Sequence, residues 1–206
     1  MQSLWMVVAS FLFAAMGVCV KLAADTFSAP EIVFYRSAIS LLLMFGLMRL
    51  RGIGFATPNL RHQIFRGASG FVSLLMYFYA IAMLPLATAV TLNYTSPIFL
   101  ALYFAAFAGM RLRGGMIVAL VIGFVGVIVL LRPTLQAEQL LGGLIALGSG
   151  IVSGFAYFNV RELGARGEPE ARTVFYFSLF ATLCSAAWML LYEFHPVDLH
   201  GGLLLI

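Results

Sequence analysis

The sequence predicts an all-α polytopic membrane protein, and three observations carry that prediction. Of its 206 residues 63% are hydrophobic and 10% charged, with a mean hydropathy of +1.03, whereas a soluble domain carries about 25% charged residues. The apolar residues gather in long runs of bilayer-crossing length, and the charges fall between those runs. Twelve Lys or Arg and eight Asp or Glu are too few to cover a soluble surface, so a water-soluble enzyme is excluded. The pI near 9.3 is no sign of a nucleic-acid partner, because the basic residues punctuate apolar segments instead of forming a patch.

A helix rising 1.5 Å per residue needs about 20 apolar residues to cross the hydrocarbon core. Seven runs qualify: Ser3 to Leu22, Pro30 to Met48, Ile64 to Met83, Leu86 to Ala108, Gly115 to Leu131, Leu140 to Val160 and Thr173 to Tyr192. The first is too long for a signal-peptide core and has no Lys or Arg before it, so it is read as a retained helix. Gly201 to Ile206 is an apolar stub that reads as the start of an eighth helix. Cys19 and Cys184 lie inside apolar runs without metal-ligand or redox spacing, and read as small packing residues. No metal and no cofactor is expected.

Lys and Arg stay on the cytoplasmic side of a membrane protein. The even-numbered connections hold nine: Arg49, Arg51, Arg61, Arg66, Arg111, Arg113, Arg161, Arg166 and Arg172. The odd-numbered ones hold Lys21 and Arg132, beside Asp25, Glu138, Glu193 and Asp198. The even connections, and with them the N-terminus, are therefore expected in the cytoplasm.

The chain also repeats itself. At an offset of 141 residues, positions 15 to 50 match positions 156 to 191 at ten of 36 places, with Val33-Phe34-Tyr35 on Val174-Phe175-Tyr176 and Ser37 on Ser178. Five spans separate the copies, and an odd number turns the second copy upside down, the arrangement of secondary transporters that rock two halves about a central substrate. A full second copy would need three further helices, so the expected whole is about 275 to 300 residues and this sequence a fragment of it.

Several residues inside the spans are candidates for chemistry. Arg36 is a charge about 9 Å past Pro30 along a helix, and a charge at that depth is a functional candidate unless it snorkels outward or serves packing. Glu31, five residues earlier, does not share its helix face. Asn93 and Pro97 are four apart, with Tyr94 and Ser96 beside them; proline deprives the Asn93 carbonyl of its usual donor, which lines a cavity or makes a structural kink. Ser69, Ser73 and Tyr77 recur every four residues, as do Ser149, Ser153 and Tyr157. These stripes face a shared pathway or, with Ala146, Gly150 and Gly154, let helices approach closely. His62, His195 and His200 sit in loops or near helix ends, where solvation accounts for them. The candidate pathway residues are thus Arg36, Tyr77, Asn93, Tyr94, Ser96, Pro97 and Tyr157.

The stretch Tyr77 to Leu112, YFYAIAMLPLATAVTLNYTSPIFLALYFAAFAGMRL, resembles the EamA-type drug/metabolite transporter superfamily: an aromatic third helix, a short Pro turn, then a fourth helix with "YTSPIF". Pro30 to Leu43, with Arg36, resembles that family's second helix, and Gly123 to Pro133 its fifth. The resemblance implies ten helices in two inverted five-helix repeats, with residues 1–133 as the first repeat and 140–206 as the start of the second. It implies cytoplasmic termini and movement of small metabolites, such as amino acids, across the cytoplasmic (inner) membrane. Its partners would be a small-molecule substrate and the lipid bilayer, with a homodimer open. The family usually has Gly-Glu-Arg at the end of the fourth helix; here Gly109 is followed by Met110 and Arg111, so no role of that Glu carries over.

An intramembrane enzyme would need several catalytic groups at one depth, and the spans offer Arg36 without an acid or histidine. A seven-helix receptor-like or structural protein fits the span count but leaves the inverted repeat and the eighth-helix stub without a purpose. Proton coupling through a buried carboxylate has no candidate beyond Glu31 at the boundary, so coupling would lie in further helices or the protein is a facilitator.

Overall fold

The computed structural model describes residues 2–24, 27–109, 114–130 and 137–191. Arg111, Arg113, Arg132, the Met110-Arg111 departure, Asp25, Glu193, His195, Asp198, His200 and the stub Gly201 to Ile206 lie outside the described residues. Every described element is an α-helix: α1 Gln2–Ala23, α2 Ala29–Leu50, α3 Leu60–Met83, α4 Leu86–Asn93, α5 Ser96–Phe107, α6 Gly114–Leu130, α7 Ala137–Ala165 and α8 Glu170–Leu191.

Local chemistry sets the boundaries. α2 opens with Pro30 in its first turn, and the Glu31 carboxylate accepts hydrogen bonds from Ser28 N (2.7 Å) and Ser28 Oγ (2.9 Å). Glu31 is thereby fully buried as part of a cap. Gly52 ends the turn after α2 and Gly167 the turn after α7, both with φ above +60°, a backbone region in which a side chain is strained. Lys21 Nζ at the end of α1 donates to the carbonyls of Ile81 (2.6 Å), Leu84 (3.0 Å) and Ala82 (3.2 Å), covering the exposed carbonyl end of α3 with a cation.

Five spans among the described residues have the length and apolarity to cross a bilayer: Ala29–Leu50, Leu60–Met83, Leu86–Phe107, Leu140–Ala165 and Glu170–Leu191. The apolar parts described for the other two expected spans, Ser10–Ala23 and Gly114–Gly126, are shorter. The third expected span begins earlier than its apolar run, at Leu60 instead of Ile64, and the sixth extends past Val160 to Ala165. Helical hydrogen bonding continues through the arginine-bearing ends because long side chains there lie over aromatic rings: Arg61 over Phe65 at 5.6 Å and Arg161 over Phe104 at 4.4 Å.

The pairs α3–α7 and α2–α8 are antiparallel, while α5 runs parallel to α7. α3 runs against α7, with Ser73 beside Ser149 and Ser153, and Gly142 of α7 beneath Leu84. α2 runs against α8: Arg172 and Tyr176 near the start of α8 bond the carbonyls of Gly54 and Phe55 beyond the end of α2 (both 2.9 Å), and Ser178 Oγ donates to Ser40 Oγ at 3.0 Å. A core of Val20, Phe27, Val33, Phe78, Ile81 and Leu92 closes one end. Large apolar side chains such as Phe11, Leu42, Ile122 and Leu183 point outward, as a hydrocarbon environment permits and water does not.

Candidate functional site

Between the helices lies a cavity of about 140 Å³ lined by residues of six of them: Phe13 of α1, Arg36 of α2, Arg66, Gly70, Ser73, Leu74 and Tyr77 of α3, Asn93 of α4, Ser153, Ala156 and Tyr157 of α7, and Phe177 of α8. A cavity of that size admits a group of roughly the bulk of a benzene ring.

The two serine stripes meet here. Gln63, Gly67, Gly70, Ser73 and Tyr77 are buried on α3, recurring at helical spacing, with Gly67 and Gly70 against Phe180 and Phe177 of α8 and Ser73 against α7. Ser73 Oγ donates to the Ser149 carbonyl at 3.1 Å and shares a hydrogen bond with Ser153 Oγ. Asn93 Nδ2 donates to Ser149 Oγ at 2.9 Å, and Ser149 Oγ donates to the Ala146 carbonyl at 2.6 Å. Asn93, Ser149, Ser73 and Ser153 thus form one connected polar wall, in which each buried hydroxyl has a partner. Ser69 stands apart, its hydroxyl bonded to the Phe65 carbonyl one turn back.

The expected break around Pro97 is present. The helix stops at Asn93 and restarts at Ser96, and Thr95 Oγ1 donates to the Leu92 carbonyl at 2.7 Å. The broken backbone lies on the glycine face of α7. A Cβ at Gly150 would sit 2.6 Å from Thr95 Oγ1 and 3.1 Å from the Leu92 carbonyl oxygen, and one at Gly154 would sit 3.0 Å from both Leu100 N and the Ser96 carbonyl oxygen. The small residues of α7 therefore serve two neighbours: Ser149 and Ser153 bond Ser73 of α3, Ser153 also lining the cavity, and Gly150 and Gly154 receive the break.

Of the seven sequence candidates, the structure brings Arg36, Tyr77, Asn93 and Tyr157 to the cavity. Tyr94 is 58% exposed, Ser96 is buried against α7, and Pro97 lies in the first turn of α5; none of these three is in the lining. Arg66 is the residue that sequence reading missed. Grouped with Arg61 as a connection residue, it lies instead inside α3. Its Nε and Nη1 are buried without a hydrogen-bond partner, and its guanidinium lies 4.6 Å from the centroid of the Phe177 ring. Its helical spacing to Gly70, Ser73 and Tyr77 was the available signal. Among the described residues no carboxylate lines the cavity, and the ion pairs, Arg166–Glu162 and Arg172–Glu168, involve neither Arg36 nor Arg66.

A second hollow at the arginine-rich end is lined by Arg61, His62, Phe107, Phe158, Asn159 and Glu162, among others. At the same end Glu168, between α7 and α8, accepts hydrogen bonds from Thr57 Oγ1, Asn59 Nδ2 (3.0 Å) and Arg172 Nη1 (2.9 Å).

A family model described as the EamA-like transporter family matches residues 1–132. The chain is 36% identical over 183 residues to the pseudopaline exporter CntI of Pseudomonas aeruginosa, covering 89% of this chain and 64% of that protein. It is 30% identical over 158 residues to an uncharacterized transporter of Helicobacter pylori, covering 75% of this chain and 53% of that protein. The chain thus spans less than two thirds of the length of these curated relatives. A solved crystal structure shares its fold with a TM-score of 0.64 at 19% identity, over 92% of this chain and 71% of the other.

Proposed function

The chain belongs to the EamA-like transporter family, and from that premise we propose that it moves a small organic metabolite across the cytoplasmic membrane by alternating access. The solute would bind in the cavity between α3 and α7, with Arg36, Tyr77, Asn93 and Tyr157 as the sequence-predicted contacts and Arg66 added. Tyr94, Ser96 and Pro97 would act from beside it, through the shape of the α4–α5 break. The observation that carries this reading is a cavity with two arginines and a hydrogen-bonded polar wall in the middle of an otherwise apolar bundle. Polar groups at that depth are costly unless a pathway uses them.

The finer architecture follows the same reading: two inverted five-helix repeats in a ten-helix whole, with residues 1–133 forming the first and 140–206 opening the second. The antiparallel packing of α2 on its repeat counterpart α8 supports it, as expected when a two-fold axis in the membrane plane relates the halves. α1, the counterpart of α7, leaves Val7, Phe11 and Leu12 exposed, a flank on which a counterpart of α3 would pack. The end holding Arg49, Arg61, Arg161 and Arg166 would face the cytoplasm, with the N-terminus on that side.

The test is uptake by the full-length protein in proteoliposomes, measured against a panel of labelled amino acids, organic acids and amines. At least one solute should accumulate above empty vesicles, and Ser73→Leu, which fills the cavity wall, should cut the rate tenfold or more. Uptake indistinguishable from empty vesicles across the panel would overturn the proposal.

A further inference from the structure

Resting on the reading of this cavity as the solute site, we propose that the solute is an organic anion whose carboxylate or equivalent oxyanion is held by Arg66 and Arg36. A guanidinium with buried, unpartnered donors is expensive in a low-dielectric interior. Arg66 is held in that condition by its surroundings. The Phe177 ring centroid lies 4.6 Å from its guanidinium carbon, a cation–π contact that uses up no N–H donor, so the planar fork that can grip two oxygens of one carboxylate keeps its donors. Gly70, one turn along α3, makes the position available: a Cβ there would fall 2.1 Å from Nη1 of Arg66 and 2.9 Å from the Phe177 ring. Arg36 lines the same cavity from α2. Glu31, the acid nearest to it in sequence, holds the Ser28 cap.

The other polar lining groups are neutral: Ser73, Ser153, Asn93 and the hydroxyls of Tyr77 and Tyr157. Two cations facing no acid repel amines and leave the ammonium of a zwitterion without a counter-charge, so net-negative acids are favoured over both. Phe13, Leu74 and Phe177 supply an apolar side to the cavity, which suits an acid carrying an aromatic or aliphatic body over a small hydrophilic one.

The experiment compares phthalate, benzoate, phenylalanine and benzylamine as probes, by uptake into proteoliposomes and by thermal shift of the purified protein. The expected order for wild type is phthalate and benzoate above phenylalanine, with benzylamine inert. Arg66→Gln should raise KM for the acids at least tenfold, and Arg66→Lys should recover part of that loss by restoring charge without the planar fork. Arg161→Gln, which removes an arginine stacked on Phe104 outside the cavity, should change neither. Should Arg66→Gln fail to fold, the wild-type thermal shifts decide, because an anion site predicts stabilisation by phthalate and none by benzylamine. Transport that favours benzylamine or ignores charge, with Arg66→Gln as active as wild type, would overturn the anion assignment while leaving the transport reading standing. Absence of both uptake and thermal shift for every probe would remove the two together.

Discussion

Glu168 illustrates how one side chain can join two connections. Burial alone would push its carboxyl up, but hydrogen bonds from Thr57, Asn59 and Arg172 and the charge of Arg172 outweigh that and hold it below the ordinary value of 4.5. A folded-state value below the unfolded one means the ionised network stabilises the protein above that ordinary value and is lost as pH falls through the depressed one. Thermal unfolding of wild type and Glu168→Gln in detergent should therefore differ most near neutral pH, by about 2 kcal/mol, and converge in acid. An equal gap at neutral and acid pH would mean that the charge contributes nothing. At this scale sequence reading was uneven for a physical reason. Arg36 was legible because it interrupts a long apolar run. Arg66 was not, because it follows Arg61 and His62, and a basic residue at the edge of a run looks the same whether it meets water or turns inward one helical turn further on.

The break between α4 and α5 was legible from one residue, since proline withholds the amide that would bond the Asn93 carbonyl. What lies against the break was not, because the serine and glycine positions of α7 support both a pathway and close packing, and local sequence does not say which neighbour each face meets. The structure assigns them separately, and that makes two glycines of one helix unequal. Gly154→Ala places a methyl group 3.0 Å from the backbone at Leu100 N and Ser96 O, atoms that cannot swing aside, and should destabilise by about 1–3 kcal/mol. Gly164→Ala, three turns further on, meets nothing within 4 Å and should be neutral or stabilise by up to about 1 kcal/mol through helix propensity. Thermal melts of the two variants in one detergent measure this; similar shifts for both would mean that α7 does not hold the break through close contact.

For the molecule as a whole, composition alone made the all-helical membrane class legible, because 63% hydrophobic residues leave no soluble alternative. The pairing of helices was legible only through the 141-residue offset, since an apolar run carries little information about which other run it meets. The structure ties the connection at 51–59 to the one at 166–169 through Glu168 and Arg172, so these two connections share one end of the bundle, while Lys21 caps α3 at the other. The proposed sidedness rests on the arginine bias: cations are retained on the cytoplasmic side, and the tied end carries Arg49, Arg51, Arg61 and Arg166 against Lys21 opposite. A cysteine replacing Arg51 or Arg166 should therefore stay unlabelled by a membrane-impermeant maleimide added to intact cells and react once the membrane is opened. A cysteine replacing Ala24 should react from outside, each variant being read in a background with Cys19 and Cys184 changed to Ser. Labelling of the Arg51 and Arg166 positions from outside, with Ala24 protected, would invert the molecule. Labelling of Arg51 and Arg166 from opposite sides would contradict the hydrogen bonds that join their connections, and with them the flipped-repeat architecture on which an alternating pathway depends.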